Sequence, residues 1–465
     1  MHEMIQNPMV FQTTVSQTNL GIYLLSLGCA KNLVDAECMS KLLTDEGYHL
    51  TLEPDDADIL IVNTCGFIES AKKEAIDAIL TLADYKKPLG SSRFLIVTGC
   101  LSQRYGREIQ ESLPEVDAVV GTAEYGRIGD VIRALLADDP VIRSRLPGPA
   151  GGLEHLKIER LPSNPGRYAY IKIAEGCVNC CSYCAIPSIR GTFRSRPAAD
   201  IVEEAKRLSR SGRDELILIA QDSSYYGMDL DGRRQLANLV RDICRIDAVR
   251  MVRILYAYAD GLTDELIERM ALEPKVARYL DLPIQHASDR ILHLMNRRDR
   301  RQSLIDVISR LRQAMPDLIL RTTVMVGFPG EEEEDFAELM SFLEEIRFDR
   351  LGCFVFSPEE GTPAYSFQPK VKKSIARHRM HLVMKQQRQI TEESNRRRIG
   401  QTCEVVLENI DEHGIFFIGR SYGEAPDVDP IIRVAASSDD LSVGRTCLCR
   451  LIDAGEYDMT GVTLP

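Results

Sequence analysis

No apolar run in the 465 residues approaches the roughly 18 needed to cross a bilayer as a helix, which excludes a helical membrane protein. The opening stretch MHEMIQNPMVFQTTVSQTNL lacks a basic region followed by an apolar core. It therefore carries no signal-peptide pattern, and the expected location is cytoplasmic. Residues 1–19 read as a loose tail. Positive charge is scarce as well: 57 Lys+Arg stand against 69 Asp+Glu, a net charge of -12. A general polyanion binder is more often basic, so nucleic acid is not the default partner, although a local basic patch stays open.

What is present suits a globular protein. Hydrophobic residues make up 44% and charged residues 27%, so cores can form. The length suggests about three domains. Thirteen cysteines in a large chain of a reducing compartment point to metal binding or redox chemistry rather than a disulfide framework.

The fold class is α/β with a small all-β end. Residues 20–136 alternate apolar strands ("GIYLLSLG", "ADILIVNT", "RFLIVTG") with helical patterns, which argues for an open parallel sheet. Residues 137–162 are rich in Pro and Gly and read as a linker. Over 163–395 six strand candidates recur with helices between them: "YAYIKIAE", "ELILIAQD", "VRILYAY", "YLDLPIQ", "LILRTTVMVGF" and "LGCFVFS". Six such units suggest a partial (βα)6 barrel that works at the C-terminal ends of its strands. A long polar helix over 372–398 closes that segment. Residues 396–463 hold short strands and turns and read as a small β-barrel.

The stretch AEGCVNCCSYCAIPSIRG, 174–191, places four cysteines within eight positions. Read as Cys177-x3-Cys181-x2-Cys184, three thiolates on one tight loop can each hold one iron of a 4Fe-4S cubane and leave the fourth iron open. Cys180 is then a bystander. The register Cys177-x2-Cys180-x3-Cys184 is a second possibility. A structural zinc knuckle is the competing chemistry, but zinc wants a fourth ligand and the loop has no His.

Three further cysteines, Cys29, Cys65 and Cys100, lie in "SLGCAKN", "VNTCGFI" and "VTGCLSQ", 36 and 35 residues apart. Each follows an apolar strand and precedes a helix. In a parallel sheet such turns converge on one crevice. A buried structural cysteine is common, yet one placement repeated in three successive units is hard to explain as packing. A second three-cysteine cluster is expected there. Cys447 and Cys449 alternate as on a strand and read as core packing, and the remaining cysteines show no pattern.

The C-x3-C-x2-C motif at the start of a βα barrel resembles the radical S-adenosylmethionine (SAM) enzymes. With the second cysteine triad and the terminal β-barrel, nearly the whole chain resembles the radical SAM methylthiotransferases, whose barrel is the TRAM domain. "LGCAKNLVDAE", "LIAQDSSYYG" and "RSYGEAPDVDP" are similar to the branch that modifies an aspartate of the twelfth small-subunit ribosomal protein, uS12. That branch commonly ends the last motif with Gly where this chain has Pro430, and the tRNA-modifying branch typically reads GC-x-MN at the first.

The resemblance implies two 4Fe-4S clusters, SAM as radical source and methyl donor, and 3-methylthioaspartate as product. It implies that Cys177, Cys181 and Cys184 hold the SAM-binding cluster. Cys29, Cys65 and Cys100 then hold an auxiliary cluster that presents sulfur. An electron donor and a sulfur carrier are further expected partners. Around SAM, Gln221, Asp222, Gln285, Gly327 and Gly330 stand at strand ends facing the cofactor rim, and Tyr183 is expected near the adenine. His286 reads as structural.

From Arg396 to Pro465 there are 7 Lys+Arg and 12 Asp+Glu, a balance of -5. An RNA-binding barrel needs cations for phosphates, so an acidic one suits a basic protein partner better. A tRNA adenosine methylthiotransferase and a non-enzymatic metal-binding scaffold are the alternatives.

Overall fold

The computed structural model describes residues 20–88, 90–436 and 441–464; the expected tail over 1–19 lies outside them. Five parallel strands open the chain: β1 (Gly21–Ser26), β2 (His49–Thr51), β3 (Ile59–Thr64), β4 (Phe94–Gly99) and β5 (Ala118–Val120), in the sheet order β2-β1-β3-β4-β5. Four helices cover it: α1 (Ala30–Asp45), α2 (Glu69–Ala83), α3 (Cys100–Ser112) and α4 (Ile128–Leu136). Every residue of β3 and β4 is buried, which is why both read as unbroken apolar runs rather than alternating ones. Strand order reverses between β1 and β3, and ligands of such sheets bind in the crevice beyond that point.

Three strand–helix units were legible here, and the structure adds β2 and β5. Each is three residues long, too short to print a pattern.

Residues 137–162 connect the two sheets, but not as a free linker. They form a helical turn at Pro140–Ser144 and a 3-10 turn at Glu154–Lys157. His155 packs edge-on against Tyr125, with ring centroids 5.1 Å apart. Arg160 is buried between Glu37 of α1 and Glu204, at 2.7 Å from each.

The next strand, β6 (Tyr168–Lys172), leads into β7 (Ala174–Glu175), which pairs with β8 (Arg194–Ser195) and so brackets the cysteine loop. Then follow β9 (Glu215–Ile219), β10 (Met251–Ile254), β11 (Val276–Asp281), β12 (Ile319–Val326) and β13 (Arg350–Val355). The six long strands are all parallel, in the order β13-β12-β11-β10-β9-β6, so β6 and β13 are edges and the barrel is partial. The helix Lys373–Arg398 lies against β13 and inserts Val383 into the core.

The last five strands close into a barrel, β14 (Thr402–Ile410), β15 (Phe417–Arg420), β16 (Ile432–Ala435), β17 (Thr446–Ala454) and β18 (Met459–Thr463), ordered β14-β15-β16-β18-β17. Cys449 sits in its core with Val405, Leu407 and Ile432.

The turn after β15 leaves this barrel and fills the inside of the six-stranded sheet. Ala425 is fully buried among Tyr168, Tyr170, Ile217 and Tyr279. Arg420 bonds Glu215 at 2.9 Å, Tyr170 donates to Asp427 at 2.8 Å, and Arg253 donates to the Tyr422 carbonyl at 2.7 Å. The "RSYGEAPDVDP" stretch is thus a polar plug whose buried charges are paired.

Candidate active site

The loop between β7 and the short helix Ile186–Arg190 carries the four clustered cysteines. Gly176 starts it at φ +79, where an added Cβ would lie 2.2 Å from the Thr192 carbonyl oxygen. The loop is pinned along its length. The Cys177 N–H donates to the Gly191 carbonyl (3.1 Å), the Ser182 N–H to the Met295 carbonyl (3.0 Å), and the Asn296 amide to the Cys180 carbonyl (2.7 Å). Cys177 and Cys181 are buried, Cys184 is half-buried, and Cys180 is exposed. Burial pushes the Cys177 thiol up to about 11, with Asp222 and Cys181 adding to it. Burial raises Cys184 too, followed by Cys181 and Cys177, so the three sulfurs share one neighbourhood.

The turns that carry Cys29, Cys65 and Cys100 meet. Cys29 precedes α1 as its extended cap (φ −95, ψ 171), Cys65 follows β3, and Cys100 opens α3. The turns touch through glycine: a Cβ on Gly28 would lie 2.8 Å from the Cys65 Cβ, and one on Gly66 would lie 2.9 Å from the Cys100 carbonyl carbon. Asn32 ties the turns together, its amide donating to the Leu27 and Thr64 carbonyls at 3.0 and 2.9 Å.

Burial pushes the Cys65 thiol up to about 12, with Cys100 and Cys29 next in weight. Cys29 differs. Its side chain is exposed; the surrounding protein raises the thiol, but Lys31, the backbone N–H groups of Asn32 and Lys31, and Arg190 outweigh that and bring it down.

Both triads offer free thiols without a disulfide, the donor chemistry an iron–sulfur cluster requires. Among the described residues, no three His, Cys, Asp or Glu side chains close on a point as ligands of one metal ion do.

The two triads are neighbours. Ala185, which follows Cys184, packs with Ile189 against Cys100. At the end of that short helix the Arg190 guanidinium donates to Cys100 Sγ (3.4 Å), Asn32 Oδ1 (2.6 Å), Asp35 (2.8 Å) and Glu175 (3.1 Å). Lys172 bonds the same two acids, each at 2.6 Å. Burial pushes the Glu175 carboxyl up, but Arg190 and Lys172 outweigh it and hold it well below the usual carboxylate range. These residues went unseen in sequence because their partners lie up to 158 positions away. A lysine inside the apolar strand "YIKIAE" was the one available signal.

The expected cofactor residues divide. Gln221 donates to Glu175 (2.8 Å), and its buried Oε1 has no hydrogen-bond partner among the described residues. Gln285 lies beyond the end of β11, at φ +67, bridged to Val324 of β12. A non-glycine residue held there is strained, a feature common at functional sites. Tyr183 is buried beside Cys181 in a cluster with Met295 and Phe328.

Asp222 has both oxygens engaged, by Asn179 of the cysteine loop (2.7 Å) and by Ser224 (2.6 Å). It therefore anchors the loop. Gly327 (φ +75) would place a Cβ 2.4 Å from that of Ala376, so helix Lys373–Arg398 is what it makes room for. A Cβ on Gly330 would meet Leu294 at 3.4 Å. His286 is buried, accepts from the Ser288 N–H at 3.0 Å, and is pulled by burial down to about 3, as a structural histidine.

Comparison with known proteins gives three successive matches. Residues 21–121 match an uncharacterized protein family, UPF0004; 171–343 match the radical SAM superfamily; 399–464 match the TRAM domain. The chain is 46% identical over 441 residues to the ribosomal protein uS12 methylthiotransferase RimO of Geobacter sulfurreducens, covering 95% of this chain and 98% of that one. The chain belongs to the RimO family of radical SAM methylthiotransferases. The RimO protein of Clostridioides difficile is 44% identical, covering 96% of this chain and 99% of its own.

Among solved structures, the radical SAM methyltransferase TsrM of Kitasatospora setae aligns with a TM-score of 0.54 at 14% identity, over 75% of this chain and 77% of that one. At that identity the likeness is one of fold. Family membership makes this chain a transferase that uses SAM and an iron–sulfur cluster. No helix among the described residues is long and apolar enough to cross a membrane.

Proposed function

We propose that this protein inserts a methylthio group at the β-carbon of an aspartate in ribosomal protein uS12. The observation that carries the reading is the juxtaposition of two cysteine triads, joined by one guanidinium that reaches from the cysteine-loop helix to Cys100. In this reading Cys177, Cys181 and Cys184 would hold the 4Fe-4S cluster that serves SAM, and Cys29, Cys65 and Cys100 would hold a second one. When bound, these groups supply the radical that removes a β-hydrogen, and the sulfur and methyl that replace it.

The chain's own residues do the rest. Asp222, through Asn179, fixes the cysteine loop. Gln221 offers its free Oε1 to the cofactor. Gln285, Gly327, Gly330 and Tyr183 shape the rim and the adenine side. Arg190 and Lys172 fix the distance between the halves.

The functional units are taken as 20–136, 163–395 and 396–463, with 137–162 between them. An electron donor and a sulfur carrier complete the partners. Protein rather than tRNA as substrate is supported by charge. Of the seven basic residues from Arg396 onward, Arg398 and Arg420 are buried against Glu424, Glu408 and Glu215 and cannot serve phosphates.

Anaerobic reconstitution with iron and sulfide, then SAM and reductant, tests the reading by product mass. A methylthio gain on a uS12 aspartate is expected. A gain on a tRNA adenosine instead would move the chain to the other substrate class.

A further inference from the structure

We propose that Lys31 recognises the side-chain carboxylate of the substrate and so selects an acidic residue over a nucleobase; this rests on the aspartate methylthiotransferase reading above. Lys31 lies in the first turn of α1, two residues after Cys29, where the three cysteine turns meet. Its ammonium stands 3.5 Å from the centroid of the Tyr256 ring. Tyr256 follows β10 with φ +61, a left-handed backbone that is unusual for an aromatic residue and is held by surrounding contacts. One such contact is its N–H, which donates to Asp281 at 3.3 Å. Two residues on, the Tyr258 hydroxyl lies 3.8 Å from Cys181 Sγ. One short segment therefore presents a ring to Lys31, beside the first triad, and a hydroxyl to the second.

What marks Lys31 is that its negative neighbours are the Cys29 sulfur and, without an ion-pair contact, Glu175. Among the described residues no carboxylate pairs with it. The buried acids nearby, Asp35 and Glu175, are taken by Lys172 and Arg190. An ammonium has three donors, and a π face satisfies charge without accepting them as an oxygen would. A half-buried cation whose donors meet no carboxylate, beside the turns that carry Cys29, Cys65 and Cys100, is complementary to an anionic group that arrives with substrate. An aspartate carboxylate meets that need with short, charge-assisted hydrogen bonds, whereas a neutral base has no charge to match. Fixing the carboxylate also fixes the β-carbon bonded to it.

The test is equilibrium binding of labelled intact uS12 under anaerobic conditions, with the target aspartate present or replaced by asparagine. It uses wild-type protein, Lys31→Met and Lys31→Arg at matched iron content. Wild type is expected to bind the asparagine form about 10- to 100-fold more weakly, the range of a hydrogen bond to a charged group. Lys31→Met should bind both forms equally, at the weaker level, and Lys31→Arg should restore part of the preference.

Undiminished preference in Lys31→Met overturns the proposal. So does equal binding of both forms by wild type, which would leave the proposed function standing. Failure of wild type to bind either form would sink the uS12 reading, and Lys31's role with it. A readout free of any mutation is salt. Preference carried by charge narrows as ionic strength rises, and salt-independent preference counts against Lys31.

Discussion

Burial separates Cys180 from its neighbours. Its thiol is exposed while Cys177 and Cys181 are enclosed and Cys184 is partly so. Cys177→Ala is therefore expected to abolish SAM cleavage and to remove about half the bound iron, since one cubane is lost. Cys65→Ala should lose a similar share yet keep SAM cleavage and stop sulfur insertion. Cys180→Ser should change neither by more than about twofold. Iron analysis with 5′-deoxyadenosine quantification checks all three. A cluster lost with Cys180 but kept without Cys181 would mean that the other register holds.

Acid sensitivity also belongs to single residues. Burial raises the Glu424 carboxyl, but Arg398 outweighs it and brings the group down to about 2. A depressed carboxylate stabilises the fold above its unfolded value near 4.5 and loses that contribution as pH falls toward 2. The loss is on the order of 3 kcal/mol. Thermal melts between pH 5 and pH 2 should show Tm falling more steeply for wild type than for Glu424→Gln.

Cys29, Cys65 and Cys100 stood out in sequence because each occupies the same place in a strand–turn–helix unit, and Cys177, Cys181 and Cys184 because they crowd a single loop. Lys31 and Arg190 did not, since what defines them is a ring at Tyr256 and a sulfur at Cys100, on other units of the chain.

Among elements, long buried strands such as β3 and β4 declared themselves as apolar runs, whereas β2 and β5 take their pairing from a neighbour and were invisible. Glycine at strand ends was ambiguous in the same way. Gly327, expected at the cofactor rim, also has Ala376 of the helix Lys373–Arg398 on the side where a Cβ would project. Two costs then separate. Gly327→Ala should destabilise by about 2–4 kcal/mol, combining a left-handed backbone with overpacking. Adding Ala376→Gly should return the packing part and leave the backbone part of about 1–2 kcal/mol. Denaturant unfolding of the two variants measures both, and full recovery in the double variant would mean that the backbone carries no cost there.

On the scale of the molecule, the N-terminal domain grips both edges of the open barrel. At the β6 edge, Asp35 and Glu37 of α1 bind Lys172 and Arg160. Beyond β13, buried Glu359 takes Lys72 of α2 at 2.9 Å and Arg104 of α3 at 2.8 Å. Removing one partner of such a buried cluster strands the other charges. Glu359→Ala is therefore expected to raise hydrogen exchange in α2 and in 357–366, while exchange at β6 stays as it was. Uniform change across both edges would mean that the grip is not local. None of these pairs could be read in sequence, because each joins residues more than a hundred positions apart.

The polar plug also limits how such proteins can be recombined. A barrel exchanged at residue 399 would bring a foreign 420–429 turn into a socket lined by Tyr168, Tyr170, Glu215, Arg253 and Tyr279. The terminal barrel is therefore not an interchangeable accessory: a working chimaera has to carry lock and key together, with its crossover upstream of β6 or with the socket residues transplanted alongside the turn.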